Sequence, residues 1–261
     1  MSHRRPILSW LFVIALLTFL FAPVICVVLF SFNASSAASL PLKGLTLDWY
    51  REIFSDADYA QALRNSAEVA LITAAFSVVA GTAAALALIR LPRRVTNVLA
   101  GVFVVPMIVP ALFIAVALLS FFTRIGFELS LRAVIVGHIL VTLPLVIALI
   151  GARLQNLDLS MLEAARDLGA SGPQAFLKVL LPLIAPAIVS AALLSVATSA
   201  DEFIISLFVN GGDQTVPVVI FGGLRTGVTP AINALASTIL AATVLATLLA
   251  GKLVSLRDVA R

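Results

Sequence analysis

The sequence predicts an all-α integral membrane protein, a helical bundle with about six transmembrane spans, and three observations predict it. Of its 261 residues, 61% are hydrophobic and 11% charged, where a soluble domain carries about 25% charged residues. The mean hydropathy is +1.13. The apolar residues are gathered into runs of about 20, the length a hydrocarbon core requires of a spanning helix. A water-soluble chain of this size could not cover so much apolar surface, whereas lipid solvates it from outside.

The first run covers residues 7–32. Arg4 and Arg5 precede it and Ser36-Ala37-Ala38 resembles a small-residue cleavage site, so a secretory signal is the competing reading. A signal's apolar core of about 7–15 residues is far shorter than this run, which favours an uncleaved span. The second and third runs are residues 62–88 and 98–122. Pro106 and Pro110 in the third, and Pro144 in the fourth at 133–152, are expected to kink their helices. The fifth covers 183–209 and the sixth 232–254, where Thr229 can cap and Pro230 suits a first helical position. Between the last two, Pro217, Phe221 and Gly222-Gly223 suggest a short re-entrant or surface helix. No soluble domain is left over, so residues 1–261 read as one membrane domain with a cytoplasmic loop at 153–182.

Lys and Arg orient the bundle. With the N-terminus inside, inner segments hold Arg4, Arg5, Arg90, Arg93, Arg94, Arg153, Arg166, Lys178, Lys252, Arg257 and Arg261. Outer segments hold Lys43, Arg51, Arg64, Arg124, Arg132 and Arg225. That places 11 of the 17 basic residues inside, which predicts a multi-pass protein of the cell membrane with both termini cytoplasmic. The same bias accounts for the net charge of +4. Basic clusters with interleaved aromatics are absent, so no nucleic-acid partner is expected. Cys26 is the only cysteine, which excludes a disulfide framework and a thiolate metal cluster. No metal site, cofactor or catalytic residue is expected: there is no HExxH, no paired His or Cys ligands and no nucleophile–base arrangement. A phosphate-binding G-x-x-x-x-G-K-[ST] loop is also missing, since Gly251-Lys252 lacks the upstream glycine and the following hydroxyl.

The informative loop lies between spans four and five. Ser160 and Glu163 have capping-box spacing, which predicts a short helix after Ser160. Gly169 falls where a left-handed helix end would need it. Ser171-Gly172-Pro173-Gln174 repeats the pattern and starts a second short helix toward Pro182. Ala164, Ala165 and Ala170 leave room for another surface to approach, flanked by Glu163, Arg166 and Asp167. A solvated connector would satisfy the same residues.

Span five carries Asp201 and Glu202, and ionisable groups at membrane depth are by default functional. Asp201 lies 15 residues beyond Pro186, about 22 Å along a helix at 1.5 Å per residue, which is the outer half of the bilayer. Helical periodicity puts Ser195, Thr198, Ser199, Glu202 and Ser206 on one stripe, so Glu202 is the acid expected to face a pathway. Asp201 points elsewhere and is open to a structural or a functional role. Two acids on a pathway would suit a cationic small-molecule cargo. His138 is open to two readings, a proton relay or an interhelical hydrogen bond, the second being the commoner. Asn233 near the start of span six could face a pathway or a neighbouring helix.

Glu163-Ala164-Ala165, three residues, Gly169, nine residues, then Val179-Leu180-Leu181-Pro182 resembles the E-A-A-x3-G-x9-I-x-L-P loop of ABC importer permeases, with only Val179 for Ile departing. The stretch from Ser199 through Asp201-Glu202 to Asn210-Gly211-Gly212 is similar to the span-five exit of spermidine/putrescine permeases. So are residues 224–236, Ser31-Phe32-Asn33 and Leu47-Asp48-Trp49-Tyr50. That family usually carries two aspartates where this chain has Asp201-Glu202, which keeps the charge and changes its reach.

The resemblance implies a type I ABC importer permease fold and a non-catalytic transport subunit of the inner membrane. It implies a coupling helix docked in a groove of a separate ATPase, with Glu163, Ala164, Ala165, Asp167, Gly169 and Pro182 at the contact; Glu163 also keeps its capping role. The implied pathway residues are Asp201, Glu202, Ser199, Thr198 and Ser206. Implied partners are a pair of ABC ATPase subunits, a second homologous permease and an extracytoplasmic solute-binding protein, besides membrane lipid. Polyamine import is the function implied; a permease for another small solute is the alternative. An ion-coupled secondary transporter would need inverted repeats and matched broken helices, which the sequence does not display.

Overall fold

A computed structural model describes residues 5–36 and 41–259. Arg4, Arg261 and the Ala37-Ala38 part of the cleavage-like tripeptide lie outside the described residues. Most of those described are helical, with one isolated antiparallel bridge between Asn33 and Leu45. Five helices are long and apolar enough to cross a membrane, and six crossings result if one sharply bent pair counts as one. The chain divides into two compact units, residues 1–61 with 219–242 and residues 62–218 with 243–261.

The first unit contains α1 (Arg5–Phe30), which carries Pro23 inside it and exposes large apolar side chains along its length, Trp10 and Phe19 among them. Lipid or another membrane helix is the environment such a surface needs. After α1 the chain turns at Ser31-Phe32-Asn33 and meets α2 (Asp48–Ser55). Asn33 organises that turn. Its Oδ1 accepts the backbone N–H of Ser35 and Lys43, and its carbonyl accepts Trp49 Nε1–H at 2.7 Å. Ser31 Oγ and Tyr50 OH are 2.7 Å apart, and the Phe32 and Tyr50 rings lie 5.1 Å centre to centre. The two motifs that looked familiar in sequence are therefore halves of one contact. In the same unit Pro230 opens α12 (Pro230–Val259), and the Ile232 N–H reaches Thr229 Oγ1 at 3.4 Å, the start the sequence predicted.

The second unit is built on α3 (Ala57–Leu88), α4 (Arg93–Ile108), α5 (Ala111–Ile125), α6 (Leu131–Gln155), α7 (Ser160–Asp167), α8 (Gly172–Ala175), α9 (Leu181–Asp201), α10 (Ile204–Val209) and part of α11 (Val216–Thr226). The short helix expected around Gly222-Gly223 is α11, of 11 residues. Along α3 the buried positions Ser66, Ala70, Thr73, Ser77, Gly81 and Ala85 recur every three or four residues, a stripe of small side chains. Small stripes let membrane helices approach closely. A Cβ on Gly81 would lie 2.6 Å from Val146 Cγ1 of α6, and Ser77 Oγ hydrogen-bonds Thr142 Oγ1 at 2.7 Å across the same seam. Helix α6 packs along α9 and also meets α4, α5 and α10. Two apolar clusters anchor it. One joins Ile114, Phe122, Val134, Ile205 and Val209, and the other joins Val146, Ile150, Leu154, Leu180 and Ile184.

Two spans differ from expectation. The third is not one kinked helix over 98–122 but two helices meeting at 97°. Proline disfavours helical backbone in the residue before it, and Val109 ahead of Pro110 is extended at φ −72°, ψ 128°. With 16 and 15 residues, each half is about 24 Å long, short of a hydrocarbon core of about 30 Å. Pro144, by contrast, sits inside α6, which continues unbroken. The fifth span is not helical throughout 183–209: a continuous helical run covers Gly172–Asp201, then breaks at Glu202-Phe203 before α10.

Candidate coupling and pathway sites

The loop between α6 and α9 forms α7 much as its spacing predicts, but the cap is different. The box from Ser160 to Glu163 does not form; the helix starts at Ser160, with no side-chain cap bond at Leu159. Asp158 takes the role, its Oδ1 accepting the Ser160 backbone N–H at 3.0 Å. That bond holds the Asp158 carboxyl below the usual aspartate range. A depressed pKa means the capping contribution is present at neutral pH and lost as pH falls through that value. At the far end Gly169 has φ +88°. The Ala170 N–H reaches Ala165 O and the Gly169 N–H reaches Arg166 O, at 3.0 and 2.9 Å. This paired closure needs a residue in the left-handed region, which glycine enters without a Cβ clash.

The second capping box does form, with Ser171 Oγ and Gln174 Oε1 each accepting the other residue's backbone N–H. It does not start a separate short helix as expected. Helix α8 runs through a π-helical turn at Phe176–Leu180 directly into α9. Pro182 explains the wide turn: it has no N–H to donate, and its ring would crowd the carbonyl four residues back in a regular helix. The second half of the loop is thus continuous with the span. Leu157, Leu162 and Phe176 pack against the cluster of Leu154, Leu180 and Ile184, while Glu163, Ala164, Asp167 and Gly169 face outward. Ala165 and Pro182 are half-buried. The sequence reading missed Leu168, which is 90% exposed beside Gly169. An apolar residue on the tip of a polar loop is the signal that would have found it.

The acid pair sits at the break between α9 and α10. Glu202 is half-buried, its Oε1 accepting the Ile205 backbone N–H at 3.1 Å and so capping α10. Asp201 is exposed. Together with Ala197 and Thr198 the two acids line an open cavity of about 350 Å³. Unwound backbone at membrane depth is tolerated where it is buried in protein or lines a wet cavity. Ser199 and Ser206 are not in that lining: both are buried against His138, with Ser199 Oγ 2.8 Å from Nδ1 and Ser206 Oγ 3.0 Å from Nε2. His138 thus makes interhelical hydrogen bonds. Glu68, exposed on α3, is a third acid within an apolar span. It was legible as a carboxylate seven residues into the second run. Asn233 is buried.

Long apolar spans, a capped amphipathic helix fused to one of them, and unwound backbone carrying acids define a membrane transport subunit. The chain belongs to the family of binding-protein-dependent transport system inner membrane components, whose model matches residues 77–256. It is 36% identical to the spermidine/putrescine transport system permease protein PotC of Haemophilus influenzae, over 87% of this chain and 88% of that one. It is equally 36% identical to the putrescine transport system permease protein PotI of Escherichia coli, over 89% and 86% of the two chains. A chain of a bacterial ABC transporter involved in import of the acidic polysaccharide alginate shares the fold, with a TM-score of 0.75 at 14% identity over 97% of this chain and 96% of that one. A chain of the MetNI methionine ABC transporter superposes with a TM-score of 0.64 at 18% identity, over 76% of this chain and 95% of that one.

Proposed function

We propose that this chain is the permease of a polyamine importer, passing putrescine or spermidine inward along a path that meets Asp201 and Glu202. The observation that carries the reading is the acid pair, Asp201 exposed and Glu202 half-buried, lining a cavity where α9 breaks. A polyamine is a flexible chain of ammonium groups, and two carboxylates in a restricted dielectric attract it by Coulomb energy that bulk water would screen. The relatives named for spermidine and putrescine support the same cargo.

Energy comes, in this reading, from a pair of ABC ATPase subunits that grip α7. The small outward face of Ala164 and Ala165 fits a groove, Leu168 is its apolar anchor, and Glu163 and Asp167 supply charge at the rim. Because Leu162 of α7 packs against the core shared by α6 and α9, and α8 runs directly into α9, a displacement at the ATPase is carried to the break beside Glu202. A second permease completes the pathway, an extracytoplasmic binding protein delivers the cargo, and both termini are cytoplasmic.

Uptake of labelled putrescine and spermidine by cells lacking other polyamine importers tests both halves. The complete system should restore uptake, and deleting residues 163–169 should abolish it while the chain stays in the membrane. Background-level uptake by the intact system would sink the cargo assignment; uptake that survives the deletion would sink the coupling assignment.

A further inference from the structure

His138 is the one buried imidazole at this site, and the family reading leaves it without a role. Its ring stands between α9 and α10, touching Ser199 on one side of the break and Ser206 on the other. The hydrogen bonds around it set its tautomer. The Ser206 hydroxyl donates its single proton to the Glu202 carbonyl at 3.0 Å, so toward His138 Ser206 can only accept. In the neutral ring Nε2 therefore carries the proton, and Nδ1 accepts from the Ser199 hydroxyl. On the backbone side, Thr142 donates to the His138 carbonyl at 2.9 Å and itself accepts from Ser77 of α3.

We propose that His138 is the positioning residue of the pathway, a clasp that holds the two halves of the broken span together and sets the direction in which Glu202 points. The relay runs from Nε2–H through Ser206 to the backbone of Glu202, whose carboxylate caps the next turn at Ile205. Removing the ring loosens α10 at the Phe203 break while α9 stays packed on α6. Two contacts press α10 onto α6 beside the clasp. Gly137 brings the α6 backbone against Ile205, and Ser130 N–H donates to Val209 O at 3.1 Å. The ring therefore governs orientation rather than folding. The effect on uptake rests on the pathway assignment above; the effect on α10 does not.

Hydrogen–deuterium exchange on the assembled transporter in membranes, read beside polyamine uptake, tests the clasp. An interhelical hydrogen bond in a membrane protein shifts an equilibrium by about three-fold, so losing both should shift it about ten-fold. His138→Leu is expected to speed exchange over residues 204–209 by about that factor, leave residues 183–195 unchanged, and lower uptake similarly. His138→Gln keeps one donor and one acceptor and should recover most of both. If His138→Leu does not accumulate in the membrane, Ser199→Ala is read instead, with about three-fold faster exchange expected. Unchanged exchange at 204–209 in the variant read, or an equal rise along all of α9, overturns the proposal. A wild-type transporter that moves no polyamine would remove the cargo assignment and leave the exchange result standing.

Discussion

Gly137 marks the closest approach of α6 to α10, where a Cβ would lie 2.5 Å from Ile205 Cγ2 and 3.1 Å from Leu118 Cδ1. Both neighbours are held in the apolar cluster around Ile114 and Val134 and have little room to yield. Gly137→Ala is therefore expected to destabilise the chain by about 1–3 kcal/mol, the usual cost of overpacking. Gly151, in the same helix, faces open space. Gly151→Ala should be neutral or stabilising by up to about 1 kcal/mol, since alanine is the better helix former. Thermal unfolding of the two variants in one detergent checks the difference. The charges at the break allow a second residue-level prediction. Glu202→Gln keeps an oxygen to cap Ile205, so α10 should persist while cation attraction weakens. If Glu202 lines the path, the KM for putrescine rises several-fold with unchanged protein abundance; an unchanged KM removes Glu202 from the pathway. None of this was readable from side-chain type alone. Helical periodicity put Ser199, Glu202 and Ser206 on one stripe, and that holds only for an unbroken helix. Ser199 faces His138 from α9, the break at Glu202-Phe203 lets Ser206 of α10 face it too, and Asp201 and Thr198 are left beside Glu202 in the cavity.

At the scale of elements, the loop with α7 was legible because capping and turn chemistry are local. Gly169 ends the helix for a reason written in one residue, and Ser171 with Gln174 restarts it within four. Gly169→Ala meets open space but must hold a left-handed backbone, a cost of about 1–2 kcal/mol. The last turn of α7 should then fray, and if α7 is the coupling surface proposed above, uptake should fall in maximal rate with KM unchanged. Ser171→Ala should cost about 1 kcal/mol of helix start, read as faster amide exchange over residues 172–176. What locality could not disclose is that α8, the π turn and α9 are continuous. Pro182 reads in sequence as the limit of a short helix, and only packing of Leu180 and Ile184 against α6 decides that the helix passes through it. The bend between α4 and α5 is the opposite case. Pro110 dictates an extended Val109, but whether a proline kinks or breaks a helix depends on what each half packs against. Helix α5 buries Ile114, Ala115 and Phe122, whereas α4 buries none of its residues within this chain.

For the whole molecule, orientation is the property that charge bias alone predicts. Cys26 is the only cysteine, so Cys26→Ala gives a background for single-site labelling. In intact cells a membrane-impermeant thiol reagent should label Asp213→Cys, between α10 and α11, and leave Asp158→Cys, ahead of α7, unlabelled until the membrane is opened. The reverse pattern would invert the topology. Cargo cannot be read at this scale. The neighbour with the TM-score of 0.75 belongs to an importer of an acidic polysaccharide, so the shared architecture does not select the sign of the cargo's charge, and function rests on the few side chains grafted onto it. The sequence by itself determined the membrane class, the number of crossings within the ambiguity of one bent pair, and the helix and glycine stop of the loop at α7. Each of these rests on local composition, spacing or turn chemistry. Only the tertiary structure decided which polar groups face a cavity and which are consumed holding helices together. That choice is made by backbone breaks and neighbouring helices far away in the chain, as Ser199 and Ser206 meet His138 across 61 and 68 residues.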